Sequence, residues 1–265
     1  MFDALYIAAT GMQAQQLHVD TIANNLANMN TVAYKKGRVG FADLMVRDTA
    51  PAGALSAQDA RANGAMASQR TGSGVGVAGI SKMFDAGDIK RTDSPMDIAI
   101  QGDGFVEVTM PDGSRAFTRG GTLKVTKEGM LATQSGYALK PGISIPDNVQ
   151  SISVTPDGRV QARVVNQTDA VDVGQIEMVR FASPGLLAVQ GDNLYRATEA
   201  SGEPIAARAG EEGMGTIAQG FLEGSNVKMV DEMVNLMLAQ RAYEASVKVI
   251  QASDEMLGLV NNLRK

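Results

Sequence analysis

The sequence contains no cysteine, no tryptophan and a single histidine among its 265 residues. Without cysteine the chain can form neither a disulfide bond nor a thiolate zinc site. Aromatic residues make up only 5%, so a core must consist mainly of Leu, Ile, Val, Met and Ala. Because hydrophobic residues still account for 44%, the composition is that of a folded chain rather than a disordered one.

An excess of positive charge and long apolar runs are also missing. The net charge is −5, and no basic patch interleaves with aromatic residues, which argues against nucleic-acid binding. No stretch of about 18 apolar residues occurs, so we expect no direct membrane insertion. The first residues lack the basic segment and apolar run of a secretory signal, so we predict no cleaved signal peptide.

Constellations that would support catalysis are absent as well. His18 lies in a predicted helix without a partner at metal-ligand spacing, which favours a packed or solvated residue. The glycines of 74–79 fit a dinucleotide-binding spacing, but no strand precedes them and no long helix follows. We therefore expect no catalytic, cofactor-binding or metal-binding residue and predict that the protein is not an enzyme. A ligand-binding enzyme built on the middle of the chain is the alternative.

A heptad-like apolar stripe predicts a helix from about residue 4 to residue 28, with Asp3 as its N-cap. Gly11 costs this helix about 1 kcal/mol relative to alanine, which indicates that another backbone approaches closely there. The apolar positions of the stripe are Leu5, Met12, Val19, Ile22 and Leu26.

A second and longer helix is predicted from about Asn226 to the end of the chain. Small residues, among them Ala239 and Ser246, lie three positions after members of its apolar track, which permits close helix packing. The track recurs at every seventh residue and consists of Met229, Leu236, Tyr243, Ile250 and Leu257.

Between the helices, short β-prone runs alternate with turn residues. The run 105–109 has period-two alternation and is followed by Asp112-Gly113, a strong hairpin signal. A second such pair, Asp157-Gly158, separates the runs 152–155 and 160–165. Many short strands joined by regular turns predict an all-β middle domain.

Together these patterns predict an α+β fold in which paired long terminal helices, forming a coiled-coil core, flank a mainly-β middle domain. The predicted domains are a helical core from 1–46 and 221–265, an extended linker or insertion at 47–74, and an all-β domain at 75–220. Packing within one chain would also explain the apolar stripes. Their position at both chain ends favours contacts between subunits.

Several motifs resemble those of the flagellar rod and hook protein family. Residues 23–28, followed by Tyr34-Lys35, resemble the N-terminal motif of that family, and 102–105 and 117–121 resemble elements of its β domain. The runs 220–227 and 240–244 resemble its C-terminal motifs. The family commonly carries glycine immediately before the aromatic residue of the first motif, where this chain has Ala33. The motif residues singled out are Asn24, Asn25, Leu26, Asn28, Gln240, Arg241, Tyr243 and Glu244.

The resemblance implies a structural subunit of the bacterial flagellum. Family members leave the cytoplasm through the flagellar export apparatus without a cleaved signal and polymerise at the growing tip under the rod cap. In the periplasmic rod of the basal body, their terminal helices form the inner core of a tube that transmits torque. The implied partners are further copies of the chain, other rod proteins, the hook protein and the rings around the rod. Chain length and the segment 47–70 favour the distal rod, and a proximal rod or other axial protein is the alternative.

Overall fold

The structure, a computed structural model, describes residues 2–44, 47–49, 69–146, 148–165, 170–211 and 213–263. They form two compact units. The helical unit comprises Met1–Asn24, Arg38–Ile80 and Val230–Lys265, and the β unit comprises Asn25–Gly37 and Ser81–Met229. Most of the predicted linker 47–74 lies outside the described residues. The predicted domain bounds stay a prediction, because compactness does not test independent folding.

Two long helices confirm the helical periodicity of the chain ends. Helix α1 spans Phe2–Ala27 and helix α2 spans Met229–Leu263, with lengths of 26 and 35 residues. Acidic residues lie in both first turns, Asp3 in α1 and Asp231 in α2, where the positive end of the helix dipole stabilises them. Short strands accompany the helices: β1 (Gly37–Asp43) pairs with β4 (Val75–Lys82), and β2 (Arg47–Thr49) pairs with β3 (Gln69–Thr71).

The middle of the chain is built from sixteen described strands, which confirms the mainly-β prediction. They are β5 (Ile89–Arg91), β6 (Ile98–Gln101), β7 (Phe105–Thr109), β8 (Arg115–Thr118), β9 (Leu123–Val125), β10 (Leu131–Thr133), β11 (Ala138–Leu139), β12 (Val149–Val154), β13 (Arg159–Val164), β14 (Val171–Gln175), β15 (Glu177–Arg180), β16 (Ala188–Gly191), β17 (Leu194–Arg196), β18 (Ile205–Arg208), β19 (Thr216–Gln219) and β20 (Phe221–Glu223).

A nine-stranded antiparallel sheet organises the β unit. Its main path runs β16-β17-β8-β7-β11-β10-β9, and β15 joins it through β7 while also pairing with β18. Strands β12, β13 and β14 form a separate three-stranded sheet. The last two strands are added to earlier ones, since β19 pairs with β6 and β20 pairs with β5.

Both hairpins predicted from Asp-Gly pairs are present. Strands β7 and β8 pair across the turn at Asp112, whose carboxylate accepts the Ser114 amide at 2.9 Å. Strands β12 and β13 pair across the turn that contains Gly158, which has a φ of 84°. Because these turns require left-handed backbone at one position, a local Asp-Gly pair was sufficient to place them.

The core of the β unit lies on both faces of strand β7. Phe105 packs in an aromatic cluster with Phe117, Phe181 and Tyr195, whose rings meet edge to face. The neighbouring Val106 points into a larger aliphatic cluster. Apolar residues therefore cover both faces of the strand, and even its polar residue Glu107 is buried and pairs with Lys140 at 3.0 Å.

Gly121 and Gly120 offer a matched test of backbone approach in this unit. A Cβ atom on Gly121 would lie 1.8 Å from the carbonyl oxygen of Ile98, whereas one on Gly120 would lie 3.2 Å from the Thr118 hydroxyl. We expect Gly121→Ala to lower the free energy of unfolding by about 3 kcal/mol or more, because two backbone segments must separate. Gly120→Ala should cost less than about 1 kcal/mol. Urea denaturation followed by circular dichroism measures both, and equal stabilities would contradict the close approach.

Candidate functional site

Three segments that are far apart in the sequence meet in the β unit at the end of strand β20. They are the segment 31–37 after helix α1, the turn that follows β8, and residues 220–227. Each segment carries one of the motifs by which the sequence resembles the rod and hook family. The structure therefore brings three separate motifs together at one place.

A buried carboxylate lies at the centre of this meeting point. Glu223 accepts a hydrogen bond from Lys35 Nζ at 2.6 Å through one oxygen and from Arg119 Nε at 2.9 Å through the other. The side chains of Lys35, Arg119 and Glu223 are 0%, 3% and 1% exposed. We call these three residues the charge cluster. Because a buried charge is costly unless it is paired, each of them depends on the others.

Backbone groups complete the hydrogen bonding of the charge cluster. The Gly87 amide donates to Glu223 Oε1 at 2.9 Å, and Lys35 Nζ donates to the Asp85 carbonyl at 2.8 Å. The guanidinium of Arg119 donates to the carbonyls of Gly104 and Gly102 at 2.8 and 2.9 Å. The charge cluster therefore holds the loops at 85–87 and 102–104 as well as the three segments.

Burial and charge shift the titration of the cluster in definite directions. Burial acts to raise the pKa of Glu223, but the charge of Arg119 and the hydrogen bonds from Lys35 and Gly87 outweigh it, so the pKa lies below the ordinary value. Burial, helped by the nearby charge of Arg119, lowers the pKa of Lys35 against the opposing effect of Glu223. Two cations thus share one carboxylate, which makes Glu223 the residue on which the balance of charge depends.

Asn25, the first residue of the β unit, holds the segment that follows helix α1. Its amide group donates to the Gly37 carbonyl at 2.9 Å, and its side-chain oxygen accepts the Gly37 amide at 2.8 Å. The same oxygen accepts the hydroxyl of Tyr34 at 3.2 Å. Asn25 is 2% exposed, so these bonds replace hydration that the side chain has lost. The loop from 25 to 37 is therefore closed by one side chain.

Asn226 holds the segment that precedes helix α2 through a similar set of side-chain hydrogen bonds. Its side-chain oxygen accepts the Lys36 amide at 2.8 Å, and its amide group donates to the carbonyls of Met83 and Asp85 at 2.8 and 3.2 Å. Its own backbone amide donates to the Tyr34 carbonyl at 3.3 Å. The residues just before helix α2 are thereby joined to those just after helix α1.

Ala33 is the one departure from the family pattern, and its backbone conformation shows what the position requires. The residue has a φ of 56°, in the left-handed region that favours glycine, and it is fully buried. Its amide donates to the backbone carbonyl of Glu223 at 2.8 Å. The left-handed backbone at residue 33 directs this amide toward strand β20. Alanine adopts that conformation here, although glycine would adopt it more readily.

The ten packing residues predicted from the apolar stripes lie on helices α1 and α2 and differ in how far they are buried. Ile22 is buried. Met229 and Tyr243 are 46% and 41% exposed. The remaining seven are half-buried: Leu5, Met12, Val19, Leu26, Leu236, Ile250 and Leu257. Their assignment to contacts between helices and between subunits stays a prediction.

The family-motif residues singled out from the sequence also differ in burial. Asn25 is the one that closes a loop, while Asn28 is half-buried and accepts the Thr31 hydroxyl at 3.2 Å. The exposed residues of the set are Asn24, Gln240, Arg241, Tyr243 and Glu244.

The two helices approach each other within the helical unit at small residues. A Cβ atom on Gly11 of α1 would lie 3.6 Å from the hydroxyl oxygen of Ser246 on α2. The most buried of the described positions of α2 are Ala239 and Ser253, which lie seven residues to either side of Ser246. The prediction that another backbone approaches closely at Gly11 is therefore wrong, because the neighbour is a side chain at ordinary van der Waals distance.

An uncovered apolar face runs along the first half of helix α2. Five of its apolar side chains are between 44% and 72% exposed. Their spacing of three, one, three and one positions places them on one side of the helix. We call this the α2 apolar face, and it consists of Val230, Met233, Val234, Met237 and Leu238.

Residues Lys35, Arg119, Glu223 and Asn226 were not among the predicted site residues, although all four lie in the family motifs. A signal for them exists in the sequence, because Glu223 follows the apolar pair Phe221-Leu222 and Lys35 follows Tyr34. Charged residues in an apolar motif can mark a buried ion pair. Without knowledge of the partners, the same residues are also compatible with an ordinary surface.

The described part of the chain contains neither a metal-ligand cluster nor a membrane-spanning helix. No group of three or more His, Cys, Asp or Glu residues there is arranged to hold a metal ion. Among the helices of the described residues, none is long and apolar enough to cross a membrane.

Comparison with known proteins gives concordant matches along the chain. Residues 5–35 match the family model described as "Flagella basal body rod protein". Residues 99–162 match "Flagellar hook protein FlgE/F/G D1 domain". Residues 218–263 match "Flagellar basal body rod FlgEFG protein C-terminal".

Whole-chain relatives carry corresponding names. The chain is 41% identical to the flagellar basal-body rod protein FlgG of Borreliella burgdorferi over 268 residues, which cover 100% of both chains. It is 41% identical to FlgG of Caulobacter vibrioides over 261 residues, 98% of this chain and 99% of the relative. It is 36% identical to FlgG of Bacillus subtilis over 270 residues, 100% of both.

Removing the carboxylate should cost more than removing one cation of the charge cluster. Glu223→Gln leaves Lys35 and Arg119 buried without an anion, and we expect a loss of about 3–5 kcal/mol in the free energy of unfolding. Lys35→Met leaves one balanced pair, and we expect a loss of about 1–2 kcal/mol. Urea denaturation of both variants measures the difference. A Lys35→Met variant as unstable as Glu223→Gln would show that charge balance is not the cause.

Acid should destabilise the β unit through the same carboxylate. The pKa of Glu223 is lowered from 4.5 on folding, so the unfolded chain binds its proton more readily. The stability that Glu223 contributes is therefore present above pH 4.5 and is lost as the pH falls through the lower pKa of the folded state. Urea midpoints measured from neutral to acid pH should fall more steeply for the native chain than for Glu223→Gln. Parallel curves for the two proteins would contradict this assignment.

Proposed function

The chain belongs to the family of flagellar basal-body rod proteins, and we propose that its terminal helices pack against those of neighbouring copies to build the distal rod. The family is a structural one, and the chain is a structural subunit of the flagellar rod. In this proposal the polymer is a rigid tube in the periplasm that transmits torque. The α2 apolar face is the observation that carries the proposal, because it needs a covering that the described part of the chain does not give it.

The arrangement of α2 supports two separate packing surfaces. Glu232, Ala239 and Ser253 are buried and recur at multiples of seven residues, and Ser246 between them lies against α1. The α2 apolar face lies at other positions of the same helix. We propose that the small-residue positions pair α2 with α1 as a coiled coil, and that the apolar face contacts another subunit.

The predicted packing residues fit this division. Leu236, Ile250 and Leu257 lie four residues after buried or small positions of α2, and Met12 and Val19 lie on α1. Half-buried side chains at these positions gain further burial when other helices surround the pair. Each side chain that passes from partial exposure to full burial contributes about 1 kcal/mol or more to assembly.

Assembly with other axial components of the flagellum follows from membership of the family. We propose that the specific contacts are with the other rod proteins, the hook protein, the rings around the rod, the rod cap and the export apparatus. The resemblance further implies export from the cytoplasm without a cleaved signal. A position in the proximal rod is the second candidate, and the whole-chain likeness to relatives named FlgG favours the distal rod.

A charge placed on the α2 apolar face should block polymerisation while leaving the subunit folded. Met237 and Leu238 are more than half exposed, so Met237→Asp or Leu238→Asp should change the stability of the monomer little. In the polymer the same aspartate would be buried without a partner, which costs several kcal/mol per contact. We expect loss of rod assembly in cells and of polymer in sedimentation experiments, with unchanged circular dichroism.

The matched control is Asn235→Asp, which adds the same charge at an exposed position between the two surfaces. It should assemble normally. Leu236→Asp and Ile250→Asp probe the predicted packing residues, and both should prevent assembly while the β unit stays folded. Normal rods from Met237→Asp and Leu238→Asp would rule out the α2 apolar face as a subunit contact.

A further inference from the structure

Lys35 and Glu223 are separated by 188 positions in the sequence, yet their charges are buried against each other. Arg119 completes the cluster from the middle of the chain. We propose that the charge cluster imposes an order of folding: the segment 31–37 docks on the β unit only after residues 220–227 are in place. This inference concerns the folding of the single chain and goes beyond the proposed role in assembly.

The first step of the argument is the environment that Lys35 would enter without Glu223. Arg119 is held beside it by the carbonyls of Gly102 and Gly104, which are dipoles and carry no net charge. The remaining acceptor of Lys35 is the carbonyl of Asp85, whose side chain is exposed. Docking of the segment 31–37 would then bring two cations together in a medium of low dielectric, which is unfavourable.

The second step is the backbone that receives the segment. Ala33 donates its amide to the carbonyl of Glu223, and the Lys36 amide is accepted by the side chain of Asn226. The amide of Asn226 in turn donates to the carbonyl of Tyr34. Residues 223–226 therefore form part of the surface on which 31–37 docks. Without them, buried amides of the segment have no acceptor.

The third step is that residues 220–227 can dock without the segment 31–37. Strand β20 pairs with β5, and the amides of Gly220 and Gly224 donate to the carbonyls of Asp97 and Asp88 at 2.8 and 2.7 Å. Arg119 supplies a countercharge for Glu223 from within the β unit. Without the segment, the Asn226 amide loses its acceptor at Tyr34, but no buried charge is left unpaired. The dependence is therefore unequal, and this inequality determines which of the two segments docks first.

The order has a consequence for a chain that is made from its N-terminus. Lys35 is present long before Glu223, and until Glu223 arrives the segment after helix α1 has no stable position. An incomplete chain therefore cannot dock its N-terminal segment. Docking becomes possible only when nearly the whole β unit has been made.

Hydrogen exchange on the full-length chain tests the order directly. The Gly37 amide reports closure of the loop from 25 to 37, and the Met83 amide reports docking of that loop. Neither amide donates to residues 220–227, because their acceptors are Asn25 Oδ1 and the Lys36 carbonyl. During refolding of the native chain, pulse labelling should show protection at Gly220 and Gly224 before Gly37 and Met83. Earlier protection of Gly37 and Met83 would overturn the proposal.

Hydrogen exchange in variants of the charge cluster provides a second test of the folding order. In Glu223→Gln, exchange at Gly37 and Met83 should rise by roughly tenfold or more, while the amides of β12 and β13 keep their native rates. Adding Lys35→Met to that variant should restore part of the protection, because it removes one of the two uncompensated cations. An effect confined to Ala33 and Gly87, or a double variant no better than Glu223→Gln, would overturn the proposal. If Glu223→Gln does not fold, Glu223→Asp retains the charge at a shorter reach and should show the same pattern in weaker form.

Discussion

A single buried carboxylate determines how the β unit is closed. Glu223 is the shared anion of Lys35 and Arg119, and all three side chains are withdrawn from water. In a low-dielectric interior such charges are tolerated only when they are paired and their remaining hydrogen bonds are satisfied. The cluster therefore fixes where three distant segments must lie. Asn25 and Asn226 then position the neighbouring backbone without adding further charge to the interior.

The helical unit differs from the β unit because many of its apolar side chains are exposed rather than buried. Its long helices carry apolar residues that stay exposed, including the five of the α2 apolar face. Exposed apolar surface of this extent on one side of a helix is typical of a surface that another protein covers. The buried charges of the β unit are paired within one chain, whereas the proposed assembly would stabilise the helical unit through further copies. A subunit that folds first and assembles afterwards, as proposed, needs both kinds of surface.

Local features of this fold could be predicted from the sequence, and its long-range polar contacts could not. The helices follow from seven-residue periodicity and the hairpins from Asp112-Gly113 and Asp157-Gly158, because each signal involves residues close in sequence. The charge cluster joins residues 188 positions apart, and carboxylates are buried only rarely, so Glu223 gave no local sign of its partners. Membership of the motifs marked Lys35 and Arg119 as notable but did not reveal that they meet.

The geometry also gives physical meaning to motif residues that carry no chemistry of their own. Gly121 lies so close to the Ile98 carbonyl that a side chain has no room, and Ala33 occupies a left-handed turn that directs its amide to Glu223. Both residues act through the backbone, since they let two chain segments approach within hydrogen-bond distance. Gly121 lies within a motif that resembles the rod and hook family, and Ala33 directly precedes another, so both occur where distant segments of the chain meet. In a structural subunit these junctions take the place of an active site, because they fix which distant segments of the β unit lie together.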